Sequence, residues 1–274
     1  MAMAQNQISV VKNNIANMKG IINSESVKDR MKSMLGNEAG VFLASVLDLY
    51  TGDTNLSKCD ATKVMAECMK AAALKLPVAK SLGFCYVIPY GNTPNFQLGY
   101  KGYVQLAQRT GQYKYINADC VYEGEKVTYD RITGMMEITG EATSEKAVGY
   151  FAYFKLLNGF EKAVYWSREK VEAHAKKYSK AWSQPASPWH TEFDAMALKT
   201  VIKSLISKYG IMSVEFASAV AQDYGDTVEA EVAQNANGEA ITLPPQEVIE
   251  ADEKQQNGEP EGQMEINFEG EPSF

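Results

Sequence analysis

Apolar positions along this chain change period several times, and each change marks an element. Residues 1–35 are polar, with Ile8, Val11, Ile15, Met18, Ile21 and Ile22 at helical spacing but low density. That predicts a mobile or subunit-docking arm rather than a buried core helix. Val41–Tyr50 is apolar at helical spacing and stops at Thr51-Gly52-Asp53. Asp60 is placed to cap a second helix running to Leu76, where Pro77 stops it, with Val64, Cys68, Ala72 and Leu76 on one face. The pattern then turns to strands. Phe84–Ile88 and Asn95–Leu98 flank Pro89–Pro94 and read as a hairpin. Lys101–Thr110 reads as a short helix closed by Gly111. Ile116–Tyr122 is a further strand, and Val127–Tyr129 with Met135–Ile138 a hairpin around Gly134. Val148–Leu157, Asn158-Gly159 and Phe160–Trp166 predict a hairpin with a type I′ turn, because Asn-Gly suits two residues of positive φ. Ser167 can cap a helix to about Tyr178, residues 180–188 form a Pro/Ser loop, and Thr191–Tyr209 is strongly amphipathic. In that last helix Phe193, Ala197, Val201 and Leu205 form one row, Leu198, Ile202 and Ile206 the next, and Gly210 ends it.

Helices, then antiparallel strands, then helices imply an α+β fold, with one antiparallel sheet and helices before and after it. The expected organisation is an arm over 1–35, a core over 36–225, and a disordered acidic tail over 226–274.

Charge sharpens that division. The chain of 274 residues has a net charge of −7, but residues 226–274 hold 13 acids and one lysine, a net of −12. The preceding 225 residues therefore carry 34 − 13 = 21 acids and 27 − 1 = 26 bases, a net of +5. A mildly basic body with an acidic tail fits a nucleic-acid binder that gathers its positive charge on one face or by oligomerisation. No apolar run approaches the roughly 18 residues of a membrane span, and Met1–Gln7 does not begin like a secretory signal. A cytoplasmic protein is expected, with no membrane partner. Cys59, Cys68, Cys85 and Cys120 form no C-x-x-C pair and have only His174 and His190 as companions, which argues for free thiols and no zinc.

Enzyme motifs are missing. No Gly-Lys dipeptide occurs, so there is no phosphate-loop motif, and H-E-x-x-H and G-x-S-x-G are absent. No cofactor is implied. Asp119, Glu123 and Glu125 could hold the metal of a nuclease, against the simpler reading of a solvated strand end. The richest stretch is Phe96–Tyr115, with four tyrosines, one phenylalanine, three Lys/Arg and no acid. Cations neutralise phosphates and aromatic faces accept bases of any sequence. Its DNA-binding candidates are Phe96, Gln97, Tyr100, Lys101, Tyr103, Arg109, Lys114 and Tyr115; core packing is the competing reading for the tyrosines. Lys101 and Arg109 are roughly 80° apart on a helix and can share a side. A second block, Arg168–Lys208, holds eight Lys/Arg against four acids, both histidines, Trp182 and Trp189. Its candidates are Lys176, Lys177, Lys180, Lys199 and Lys203; Lys208 falls on a different face, and Trp189 is expected in the core.

Ordered motifs, namely F-Q-L-G-Y-K-G-Y-V-Q-L-A-Q-R-T-G-Q-Y-K at 96–114, V-Y-E-G-E at 121–125, L-N-G-F-E-K at 157–162, Y-W-S-R at 165–168 and W-H-T-E-F-D-A-M-A-L-K-T-V-I-K at 189–203, resemble the RecT family of phage recombinases. The resemblance covers residues 40–215. It implies a protein that binds single-stranded DNA without ATP, assembles into rings or helical filaments, and anneals complementary strands beside a phage 5′→3′ exonuclease. The tail end, Glu269–Phe274, resembles the tip of bacterial single-strand-binding protein, which implies shared host partners; a solubilising or autoinhibitory tail is the other reading. Two further classes stay open: a metal-dependent nuclease and a self-assembling phage structural protein.

Overall fold

The computed structural model describes residues 2–179 and 181–221, with side chains from residue 9 onward. The expected tail over 226–274 and Lys180 lie outside the described residues.

Four helices form the N-terminal layer. α1 (Ala2–Asn23) and α2 (Glu25–Leu35) meet at Ser24, whose Oγ donates to the Ile21 carbonyl at 2.7 Å. Residues 1–35 were expected as a mobile or docking arm. The described part instead packs on α3 (Ala39–Gly52) and α4 (Ala61–Ala73). Its apolar positions are few, but they are used: Met18 and Met31 are fully buried, and Ile15, Ile21, Ile22, Met34 and Leu35 pack against the same core. Asp60 caps α4 by accepting from the Lys63 N–H at 3.0 Å. The row Val64, Cys68, Ala72, Leu76 is buried as its spacing predicts, although the helix stops at Ala73 and Lys75 takes a positive φ of 51°.

β1 (Cys85–Tyr90) and β2 (Thr93–Leu98) form a tighter hairpin than expected, pairing Pro89 with Pro94 and Tyr90 with Thr93 around Gly91-Asn92. Two strands without further neighbours tolerate proline because no ladder donor is needed on the outer edge. α5 (Tyr100–Arg109) follows at once and packs closely on the chain at 83–84. A Cβ at Gly99 would stand 2.1 Å from the Gly83 carbonyl oxygen, and one at Gly102 2.1 Å from that of Phe84. Both glycines are therefore needed for that approach.

The α+β fold with antiparallel strands between helices is as expected, and the strands divide into three antiparallel sheets where the sequence predicts one: β1–β2, β4 (Lys126–Tyr129) with β5 (Met136–Thr139), and the central order β3 (Tyr113–Tyr122), β6 (Ala147–Leu156), β7 (Glu161–Ser167). The β6–β7 turn is not the two-residue type I′ form. Leu156 N–H donates to the Phe160 carbonyl at 2.7 Å, enclosing three residues, and only Gly159 of them has positive φ, at 91°. That is the signature of a type I turn with a glycine bulge. The β4–β5 turn covers the free edge of β7: Ala163 N–H donates to the Gly134 carbonyl at 3.0 Å and Lys162 Nζ to that of Thr133 at 2.8 Å.

The C-terminal helices are α6 (Arg168–Tyr178), the single turn α7 (Pro188–Thr191) and α8 (Phe193–Tyr209). α8 lies across β3, β6 and β7 and touches α5. Ala197, Val201, Ile202, Leu205 and Ile206 are fully buried there, joined by Phe154 and Tyr150 from β6. A helical segment over 214–221 places Phe216 against the Tyr103 ring, centroids 6.1 Å apart.

Candidate nucleic-acid interface

Cations and aromatic rings converge where β7, α6 and α8 meet. Ser167 starts α6 by accepting from the Lys170 N–H at 3.3 Å. Val171 and Ala175 turn inward, which leaves Lys170, His174 and Lys177 along one stripe at helical spacing. Rings line that stripe. Lys170 Nζ stands 4.6 Å from the centre of the Trp166 ring, Trp166 meets His174 edge-on at 5.1 Å, His174 meets Tyr178 at 4.7 Å, and Lys177 Nζ lies 4.9 Å from the Tyr178 centre.

α8 adds charge from the facing side. Burial, then the positive charges of Lys203, Lys170 and Lys177, push His174 down to about 4, so the ring is neutral at ordinary pH. Lys170 is lowered by burial and then by Lys208 and Arg131, which brings the β4–β5 turn into the same field. Lys162 and Tyr209 adjoin, Nζ 5.3 Å from the ring centre. Lys199 is one turn before Lys203 and half-buried, and Lys176 pairs with Glu172 at 2.8 Å while lying 5.6 Å from the Trp182 ring centre. A surface of this kind offers phosphates several positive charges and bases several ring faces.

The first turns of α6 and α8 are tied together. Arg168 donates to Asp194 Oδ1 at 3.2 Å and to the Tyr150 hydroxyl at 2.9 Å, its guanidinium 4.4 Å from the Phe193 ring centre. Tyr150 donates to the same Asp194 oxygen at 2.5 Å. Burial and this carboxylate raise the Tyr150 hydroxyl well above the ordinary phenol range, so it stays a donor.

The Phe96–Tyr115 stretch is mostly architecture. Phe96 and Tyr103 are core residues and present no ring to solvent, a correction to their expected stacking role. Gln97 donates to the Tyr90 hydroxyl at 2.9 Å. Tyr100 is half-buried, and burial raises its hydroxyl, which also meets the backbone of Ala118. Arg109 closes the end of α4, donating to the carbonyls of Leu74 at 2.6 Å and Lys75 at 2.9 Å. Lys101 is exposed on α5 beside Gly83, and exposed Lys114 stands 5.6 Å from the Tyr115 ring centre on β3. The structure thus unites Lys177 and Lys203 from the expected set and leaves Lys101, Arg109 and Lys114 on other elements.

A model of the RecT family matches residues 40–239, well over half the chain. The chain belongs to the RecT family. Family membership makes it a single-strand annealing protein of DNA recombination. It is similar to "Protein RecT" of Escherichia coli (strain K12), 29% identical over 178 residues, 61% of this chain and 65% of that protein. It is also similar to "Uncharacterized protein YqaK" of Bacillus subtilis (strain 168), 42% identical over 258 residues, 94% of this chain and 88% of that one.

Within this RecT-family chain, sequence reasoning missed Arg131, Lys162, Lys170, Trp166 and Tyr178, and ranked Lys208 low. The stripe at 170, 174 and 177 was visible as spacing; the approach of Arg131 and Lys208 was not, because it depends on how three elements pack. Asp119, Glu123 and Glu125 do not converge. Asp119 accepts from the Cys120 N–H at 2.8 Å, Glu125 from that of Tyr122 at 2.6 Å, and Glu123 pairs with Lys146 at 3.7 Å. Among the described residues no group of three or more His, Cys, Asp or Glu could hold a metal ion. Cys59, Cys68 and Cys85 are buried free thiols, and burial pushes those of Cys68 and Cys85 up to about 12. Trp189 is buried, as expected. No helix among the described residues is long and apolar enough to cross a membrane.

Proposed function

We propose that this chain binds single-stranded DNA by its backbone across the α6–α8 face and anneals it to a complementary strand without ATP, acting as an annealing protein and not as an enzyme. The observation that carries the reading is the ring run Trp166, His174 and Tyr178 with Lys170 and Lys177 over its faces, in the positive field that Lys203 adds from α8. Phosphates are the ligands that such a field recruits, and the stacked rings suit bases of any sequence. One subunit offers few phosphate contacts, so copies along one strand multiply weak binding. That favours a homo-oligomer, ring or filament, in which bases stay open to test a second strand. A 5′→3′ exonuclease that exposes the strand is the fitting partner, and host partners of single-strand-binding protein fit the acidic tail.

The test mixes two complementary fluorescent oligonucleotides with the protein in ATP-free buffer, with and without magnesium. Protein-dependent duplex formation from intact strands, lost with a non-complementary control, supports annealing. Shortened strands in magnesium would replace it with a nuclease, and assembly indifferent to DNA with a structural protein.

A further inference from the structure

Large apolar side chains stand exposed at several places, among them Ile132 and Met135 on the β4–β5 turn, and two of these places bear on assembly. In the β6–β7 turn, Leu157 is 64% exposed and Phe160 45%, and after α8 Ile211 is 38% and Val214 83% exposed. These adjoin. Tyr113 donates to the Ile211 carbonyl at 3.0 Å and meets Phe154 edge-on at 5.4 Å, and Phe154 meets Phe160 at 6.0 Å. Lys162 over Tyr209 and exposed Lys208 make this rim cationic.

The second place is the N-terminal layer. Val41 is 72% exposed on α3, in an outward stripe with Ala44 and Asp48, and Leu82 is 44% exposed nearby in sequence to Ser81. An open groove runs between α3 and the Lys80–Leu82 turn, lined by Ser45, Asp48, Leu49 and Gly52 on one side and Ala79, Lys80 and Ser81 on the other. Lys80 is paired with Asp53, and exposed Glu38 and Asp48 make the α3 side acidic.

We propose that these two surfaces bind each other in successive copies of this chain, the β6–β7 turn and the segment after α8 of one copy docking on α3 and its groove in the next. The occupant follows from the chemistry: an apolar knob with a cationic rim meets a polar groove whose α3 side carries exposed Glu38 and Asp48 and, one turn before Ser45, the exposed Val41. The surfaces differ, so the contact is heterologous and propagates to a ring or filament instead of closing as a two-fold dimer. The knob's rim shares Lys162 and Lys208 with the α6–α8 face, so the next copy docks beside the DNA, while Lys170, Lys177 and Lys203 lie outside the contact. This rests on the oligomeric reading above and names its interface.

Two variants test it by light scattering, with and without an oligonucleotide. Leu157→Glu/Phe160→Glu charges the knob, and Val41→Arg/Leu82→Arg puts like charge on the two elements that flank the groove, α3 and the Lys80–Leu82 turn. Each alone is expected to be monomeric, while an equimolar mixture forms a heterodimer and nothing larger, because one intact knob then meets one intact groove. Either variant assembling alone, a mixture that stays monomeric, or an unmodified chain that never assembles would overturn the proposal. Should the charged pairs lower the melting temperature, Leu157→Ser/Phe160→Ser and Val41→Ser/Leu82→Ser repeat the test without added charge. Oligonucleotide binding is read separately: an unmodified chain that assembles but binds no oligonucleotide breaks the DNA reading and leaves this interface standing.

Discussion

His174 lies between Trp166 and Tyr178 and feels three lysine charges, so a proton on its ring is disfavoured in the folded chain. The folded value is about 4 against an ordinary 6.5. Below 6.5 the unfolded chain takes up the proton and the folded chain does not, so this residue's contribution to stability is complete above 6.5 and is lost as pH falls towards 4. Lys203→Ala removes one opposing charge. The expected outcome is a higher His174 value by NMR titration and a smaller drop in denaturation midpoint between neutral and mildly acidic pH. Arg109 separates two roles that its sequence setting leaves mixed. As a cap on α4 it predicts that Arg109→Ala lowers stability by about 1 kcal/mol in denaturant titration, with the salt slope of DNA binding unchanged. A lower slope at unchanged stability would return Arg109 to the DNA-binding set. The sequence showed an aromatic, basic stretch there but not that Phe96 and Tyr103 are interior, since alternating strands and short helices give tyrosine either side with equal ease.

At the scale of elements, Gly102 fixes how α5 sits on the chain at 83–84. Gly102→Ala is expected to destabilise by about 1–3 kcal/mol, read as a lower denaturation midpoint, because its Cβ meets backbone and not a flexible side chain. An unchanged midpoint would mean that α5 can shift freely. The elements themselves were legible. Val64, Cys68, Ala72 and Leu76, and the two rows of α8, are apolar runs whose period is dictated by burial on one face. Three features were not. The segment over 2–35 spends few apolar residues, so its density understated its packing. The β6–β7 turn includes Leu157, whose apolar character reads as strand. The division into three sheets depends on which strand edges meet, and no single strand carries that information.

For the whole molecule, the decisive feature is long-range. Arg131, Lys170 and Lys208 come from a hairpin turn, α6 and α8, and their charges meet only after folding. Block composition located the region; the face itself needed the packing. Charge also gives a prediction about the chain as a whole. Removing residues 226–274 changes the net charge from −7 to −7 + 12 = +5. Single-strand affinity is expected to rise at low salt and to converge with that of the full chain at high salt, where the long-range field is screened. The most direct test of the central claim is the dependence of single-strand affinity on salt for the unmodified chain and for Lys170→Ala/Lys203→Ala. If the α6–α8 face holds the phosphates, the slope of log affinity against log salt falls by about 0.7 for each lysine removed, while the melting temperature holds. If affinity and slope are unchanged in the double variant, DNA binds elsewhere on this chain.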